Sequence, residues 1–86
     1  MRIQFTKHAE EKFTILKARG WRLTKKQITQ IISFPQWKGN TVYNQKTALG
    51  SVDEQHIIRI VFSQERDTIK IITFHIAKKG RYESNI

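Results

Sequence analysis

The sequence predicts an α+β domain with the order β-α-α-β-β-β, in which two N-terminal helices pack on one antiparallel sheet. Three observations predict it. Apolar residues recur at helical spacing between positions 7 and 34; from position 41 they alternate or run together in segments of strand length; and Pro35, the one proline, stands where the first pattern gives way to the second.

Each element has its own signal. Arg2-Ile3-Gln4-Phe5 alternates polar and apolar residues, as a short edge strand does with Ile3 and Phe5 turned inward. Thr6 offers a hydroxyl to the first free amides of a helix, Ala9, Phe13 and Leu16 follow near helical spacing, and Gly20 is the residue on which helices commonly end, so helix one spans 7–19. Thr24-Lys25-Lys26-Gln27 has the spacing of a capping box, and Ile28, Ile31 and Ile32 form one apolar face. Pro35 excludes the residue before it from helical geometry, so helix two stops by Phe34. Residues 41–49, with Val42, Tyr43 and Thr47 among polar neighbours, read as an exposed strand, and Gly50-Ser51-Val52-Asp53-Glu54 as a turn. Residues 55–63 and 68–77 are dense in Ile, Val and Phe and read as the central strands, joined through Gln64-Glu65-Arg66-Asp67. Residues 78–86 form a basic, then polar, tail.

Eighty-six residues allow one domain, 1–86. The net charge of +9 divides unevenly, with +7 in residues 1–38, zero in 39–77 and +2 in the tail, so the helices and tail carry a surface that attracts polyanions. Nucleic acid is the leading partner class. The absence of cysteine excludes disulfides, thiolate metal sites and a cysteine nucleophile. Charged residues follow Phe5 within a few positions and no long apolar run occurs, so the expectation is a cytoplasmic protein without a membrane partner. A phosphate-cradling glycine loop, a His-Glu-x-x-His pair and a Gly-x-Ser-x-Gly elbow are all missing, which removes the NTPase, zinc-protease and serine-hydrolase classes.

What remains is three histidines among cations. Strict alternation on the last strand sets Ile72, Phe74 and Ile76 on the core face and Ile71, Thr73 and His75 on the other. On the strand before it Ile58, Ile60 and Phe62 form the core set, so Arg59 shares the open face with His75, near Lys78, Lys79 and Arg81 of the tail. An imidazole that titrates near neutrality, flanked by guanidinium and ammonium groups, fits RNA cleavage: a base takes the 2′-hydroxyl proton, cations hold the phosphorane charge, and an acid protonates the leaving 5′-oxygen. That chemistry requires no metal and no cofactor. His8, in the first helical turn, is placed to bind phosphate or to cap the helix; His56 reads as structural. Trp37 and, less strongly, Trp21 are candidates for stacking on bases, and Tyr82 beside Arg81 for a phosphate contact.

The residues also resemble a family. Phe5-Thr6-Lys7-His8-Ala9 followed by Lys17-Ala18-Arg19-Gly20-Trp21 is similar to the opening and first helix end of the small DUF4258 proteins. Lys70-Ile71-Ile72-Thr73-Phe74-His75-Ile76-Ala77, then Arg81-Tyr82, resembles both their closing strand and the Arg-Ile-Ile-Ser-Ala-Arg-x-Ala signature of BrnT-type toxins. The resemblance implies a RelE-like toxin fold that cleaves RNA on its open face and is neutralised by a cognate antitoxin. It sets His75 where BrnT-type toxins carry an arginine, and Lys70 at their opening arginine. A histidine exchanges protons near neutral pH, which an arginine does not, so the departure either converts a charge clamp into an acid or base or weakens the nuclease.

Three readings follow. The first is the ribonuclease toxin of a type II toxin-antitoxin system, an mRNA interferase that stops translation by cutting RNA, free or on the ribosome. His75 is then acid or base, Arg59 and Arg81 sit on the phosphate, His8 assists, and Lys70, Lys78, Lys79, Tyr82 and Trp37 bind RNA. The second is a non-catalytic RNA-binding module, or degenerate toxin, on the same basic face. The third is a protein-interaction domain with a partner groove there.

Overall fold

The computed structural model describes residues 2–79. The chain is α+β, with two helices and a five-stranded mixed sheet: β1 (Arg2–Phe5), α1 (Lys7–Ala18), α2 (Lys25–Ser33), β2 (Trp37–Asn40), β3 (Lys46–Ser51), β4 (His56–Glu65) and β5 (Thr68–Lys78). In the sheet the order is β1-β5-β4-β3-β2.

The helix ends follow their local chemistry. The Thr6 hydroxyl accepts the Ala9 amide at 3.1 Å. Thr24 and Gln27 exchange both bonds of the capping box. At the end of α1, Gly20 takes a φ of +92°, and the amides of Gly20 and Trp21 reach back to the carbonyls of Lys17 and Leu16 at 3.0 and 2.9 Å. This is the Schellman arrangement, which needs a left-handed residue at that point.

Both helices pack on one face of the sheet. Ala9 and Leu16 of α1 and Ile28 of α2 meet Ile58, Ile60, Phe62, Ile69, Ile71 and Phe74, all buried. Phe13 links the layers, with ring centroids 5.7 Å from Phe5 and 4.9 Å from Phe74. Burial of each large apolar side chain contributes about 1.5–3 kcal/mol, so this cluster dominates the stability of so short a chain.

The sheet differs from the sequence expectation in three ways. First, it is mixed, because β1 runs parallel to β5 while the other neighbours are antiparallel. Alternation marks a strand and its inward face but not its partner, and the partner sets direction. Second, the sheet has five strands, not the four of the expected order β-α-α-β-β-β: Trp37–Asn40 forms an additional strand, and of the expected strand 41–49 only 46–49 lie in β3. Residues 41–45 form a turn in which the Thr41 hydroxyl accepts the amides of Tyr43 and Gln45 at 3.2 Å each and Asn44 takes a φ of +61°. Val42 and Tyr43 therefore stand at a hairpin tip, 93% and 81% exposed, and the turn expected at 50–54 begins after Ser51. At the next connection the strands extend inward until Arg66 and Asp67 alone remain, with Arg66 at a φ of +54°, and β5 continues through Lys78 rather than ending at Ala77.

Third, β5 contains a bulge. Val61 pairs with Thr73 and Phe62 with Ile71, so Ile72 is an extra residue with no partner in the ladder. The bulge reverses which residues face the helices. Ile69 and Ile71 lie on the core face before it and Phe74 and Ile76 after it, which overturns the placement of Ile71 beside Thr73 and His75. Unbroken alternation back from Phe74 would have turned Lys70 into the core and Ile69 and Ile71 out of it. Burying an unpaired ammonium costs far more than one lost ladder bond. Thr6 ties the bulge to α1, its amide donating to the Ile71 carbonyl at 3.0 Å and its hydroxyl to the Ile72 carbonyl at 2.9 Å.

Candidate functional site

The sheet face opposite the helix-packed core carries the expected pair, and the register arranges it. Trp37 pairs with Leu49, Leu49 with Arg59, and Arg59 with His75, so these four residues form one row across β2, β3, β4 and β5. Directly paired residues share a face. Leu49 in this row and Ile57 and Ala77 beside it are buried, with Trp37 packed half-buried against that cluster. Arg59 and His75 are half-buried, with Arg59 Nη1 3.5 Å from His75 Nε2. A guanidinium can only donate, so in this contact Nε2 presents its lone pair and the imidazole proton lies on Nδ1.

α1 lies against β5. β1 stops pairing with β5 at Ile71, and α1 starts there. His8 and Lys12 are four residues apart, hence on one side of the helix, and their charges act on His75. Burial foremost, then Lys12, Arg59 and His8, hold the His75 imidazole below its ordinary value of 6.5. Among the described residues every charged group acting on it in that way is cationic, an arrangement that disfavours a charged ring. One buried polar atom underlies the site: Oγ1 of Thr73, two residues before His75, has no hydrogen-bond partner.

The sequence-derived residues divide accordingly. Arg59 and His75 come together, His8 acts on His75 through its charge, and Trp37 lies in the same row. Lys70 does not join them. The bulge leaves it on the open side but five strand residues from His75, roughly 15 Å at strand spacing, beside Gln4 and Ser63. Lys78 and Lys79 are exposed at the far end of β5; alternation puts Lys78 with Phe74 and Ile76, not with His75, and the Lys79 amide donates to the Gln55 carbonyl at 2.8 Å. Arg81 and Tyr82 lie outside the described residues. Lys12 is the member that sequence reasoning missed, although its four-residue offset from His8 was a usable signal.

His56 and Trp21 have structural work. His56 Nδ1 lies 3.0 Å from Asp53 Oδ1, and its ring meets Trp21 edge-on at 4.9 Å. The Gln55 amide foremost, and His56 as well, hold the Asp53 carboxyl below the usual carboxylate range. Among the described residues no three His, Asp or Glu side chains gather as a metal site, and no helix is long and apolar enough to cross a membrane.

No family model, curated protein or solved structure matches this chain.

Proposed function

We propose that this chain is a metal-independent endoribonuclease of the toxin type, acting where the β4–β5 row meets α1. The observation that carries the reading is the contact of the His75 imidazole with the Arg59 guanidinium on the sheet face away from the helices, with the charges of Lys12 and His8 acting on the same ring. Neutral His75 takes the 2′-hydroxyl proton on Nε2 as Arg59 turns to the phosphate. The 2′-oxygen bonds to phosphorus, the bond to the 5′-oxygen breaks, and protonated His8 supplies the proton that the leaving oxygen needs. The products are a 2′,3′-cyclic phosphate and a 5′-hydroxyl. Arg59 and Lys12 hold the charge that builds on the non-bridging oxygens.

The resemblance to BrnT-type and DUF4258 proteins supports the toxin role, and the RelE-like assignment of the fold is part of the same reading. A cognate antitoxin is the protein partner, and the +9 charge favours an acidic one. The test is induction in a bacterial host at matched soluble expression, alongside incubation of the purified protein with RNA, with and without ribosomes. The wild type arrests translation and leaves cyclic-phosphate ends, whereas His75→Gln does neither while still binding RNA. If the wild type neither arrests translation nor cleaves RNA, the nuclease reading fails and the binding module takes its place.

A further inference from the structure

We propose that Trp37 is a base-stacking subsite, separate from the phosphate corner, which takes an unpaired nucleobase of a single-stranded RNA lying across the strands. The inference rests on the ribonucleic-acid reading above but not on catalysis.

The register provides the geometry. Trp37, Leu49, Arg59 and His75 stand in one cross-strand row. Neighbouring strands are about 4.8 Å apart, so Trp37 is roughly 10 Å from Arg59 and roughly 14 Å from His75 along that row. At about 3.4 Å per stacked nucleotide, a strand with its phosphate at Arg59 and His75 brings a base over Trp37 some three to four nucleotides away, fewer if the strand is splayed. Between them lies Leu49, buried and uncharged, which offers a phosphate nothing.

The surroundings of Trp37 fit a stacking platform. Its indole is half-buried against Leu49, Ile57 and Ala77, so the ring is held from one side while part of it stays open. A ring already fixed loses little entropy when a base settles on it. Gly39, two residues on along β2, takes the same face; a Cβ there would lie 3.0 Å from Thr47 Oγ1, so the Thr47 side chain fills the space over Gly39 beside the tryptophan. Stacking needs a base free of its partner, which makes the ligand a single strand and not a duplex.

The chain has two tryptophans, and Trp21→Phe leaves Trp37 as the sole indole. The probe is a fully 2′-O-methylated oligoribonucleotide of about ten residues, which presents bases and phosphates but cannot be cut. It is offered as a single strand and annealed to its complement, and binding is followed in parallel by the anisotropy of a label on the strand. The single strand is expected to quench Trp37 emission and the duplex to leave it unchanged. Trp37→Leu, which still covers the apolar cluster, weakens single-strand binding about 5- to 150-fold, the range of a lost base–aromatic stack. Trp37→Phe recovers most of it. The salt dependence of binding is the same in Trp37→Leu as in the wild type, because no phosphate contact is lost, and shallower in Arg59→Ala. Quenching without cleavage of natural RNA would remove the nuclease and leave the subsite standing. Cleavage without quenching, equal quenching by the duplex, unaltered affinity in Trp37→Leu, or no binding of the strand at low salt would each overturn the subsite.

Discussion

Thr6 joins the two halves of the candidate site, and removing its hydroxyl tests that joint. The hydroxyl accepts the Ala9 amide at 3.1 Å as the cap of α1 and donates to the Ile72 carbonyl at 2.9 Å in the bulge of β5. His8 and Lys12 depend on the first element and His75 on the second. Thr6→Val keeps the shape and loses both bonds. The cap is worth about 1 kcal/mol and the hydrogen bond to the partly buried carbonyl about 1 kcal/mol more, roughly 2 kcal/mol together. Against a total stability of about 5–15 kcal/mol, that is a large share. In a domain of this size it lowers Tm by roughly 8–16 °C, read by circular dichroism at pH 7.5. Thr6→Ser, which retains the hydroxyl, stays near the wild type. Cleavage by Thr6→Val, measured well below its own Tm, falls as well, because α1 is no longer held in register with the bulge. A Tm within about 3 °C of the wild type would refute the reasoning, since the main-chain bond from Thr6 to Ile71 would then be enough to hold the joint.

Three further outcomes are expected. Lys12 lowers the His75 pKa through its charge, so Lys12→Gln moves the His75 titration, followed by the imidazole C2 proton in NMR, to higher pH, and the acid limb of the pH–rate profile moves with it; an unmoved titration would remove Lys12 from the site. Because the folded-state pKa of His75 lies below its ordinary 6.5, the unfolded chain binds that proton first, and the stability this provides, complete above pH 6.5, is lost as the pH falls through the folded-state value. Urea denaturation of His75→Gln should therefore show a shallower decline than the wild type below pH 6.5, a window that lies above the titration of Asp53, itself lowered from 3.8; identical declines would contradict the burial of His75. Thr73→Val replaces a buried hydroxyl without a partner by a methyl group of similar shape and should raise stability by about 1 kcal/mol, whereas a lower Tm would reveal a partner for that oxygen.

Features set by contacts within a few residues were legible in the sequence. The Thr24–Gln27 box, the Thr6 cap and the Gly20 stop each depend on groups at most four or five positions apart, and all three form as their spacing implies. The inward faces of β1 and β4 were legible for a similar reason, since a strand alternates whatever it pairs with. That Arg59 and His75 share the face away from the helices was reached in the same way, through two alternations counted from apolar residues, whereas their direct pairing belongs to the register.

Only the tertiary structure decided the rest. The parallel partner of β1, the phase break at Ile72 and the row that aligns Trp37 with Arg59 and His75 all depend on register between segments distant in the chain. The doubled Ile71-Ile72 was the one local trace of the break, because Ile69 and Ile71 fit the core on one phase and Phe74 and Ile76 on the other. Local pattern states which side of a strand is apolar; which strand lies beside it, and whether an extra residue is absorbed, is settled by the energy of burying Ile69 and Ile71 while keeping Lys70 in water. That choice sets the phase in which β5 passes Thr6 and α1, while His75 keeps the face that Phe74 and Ile76 dictate.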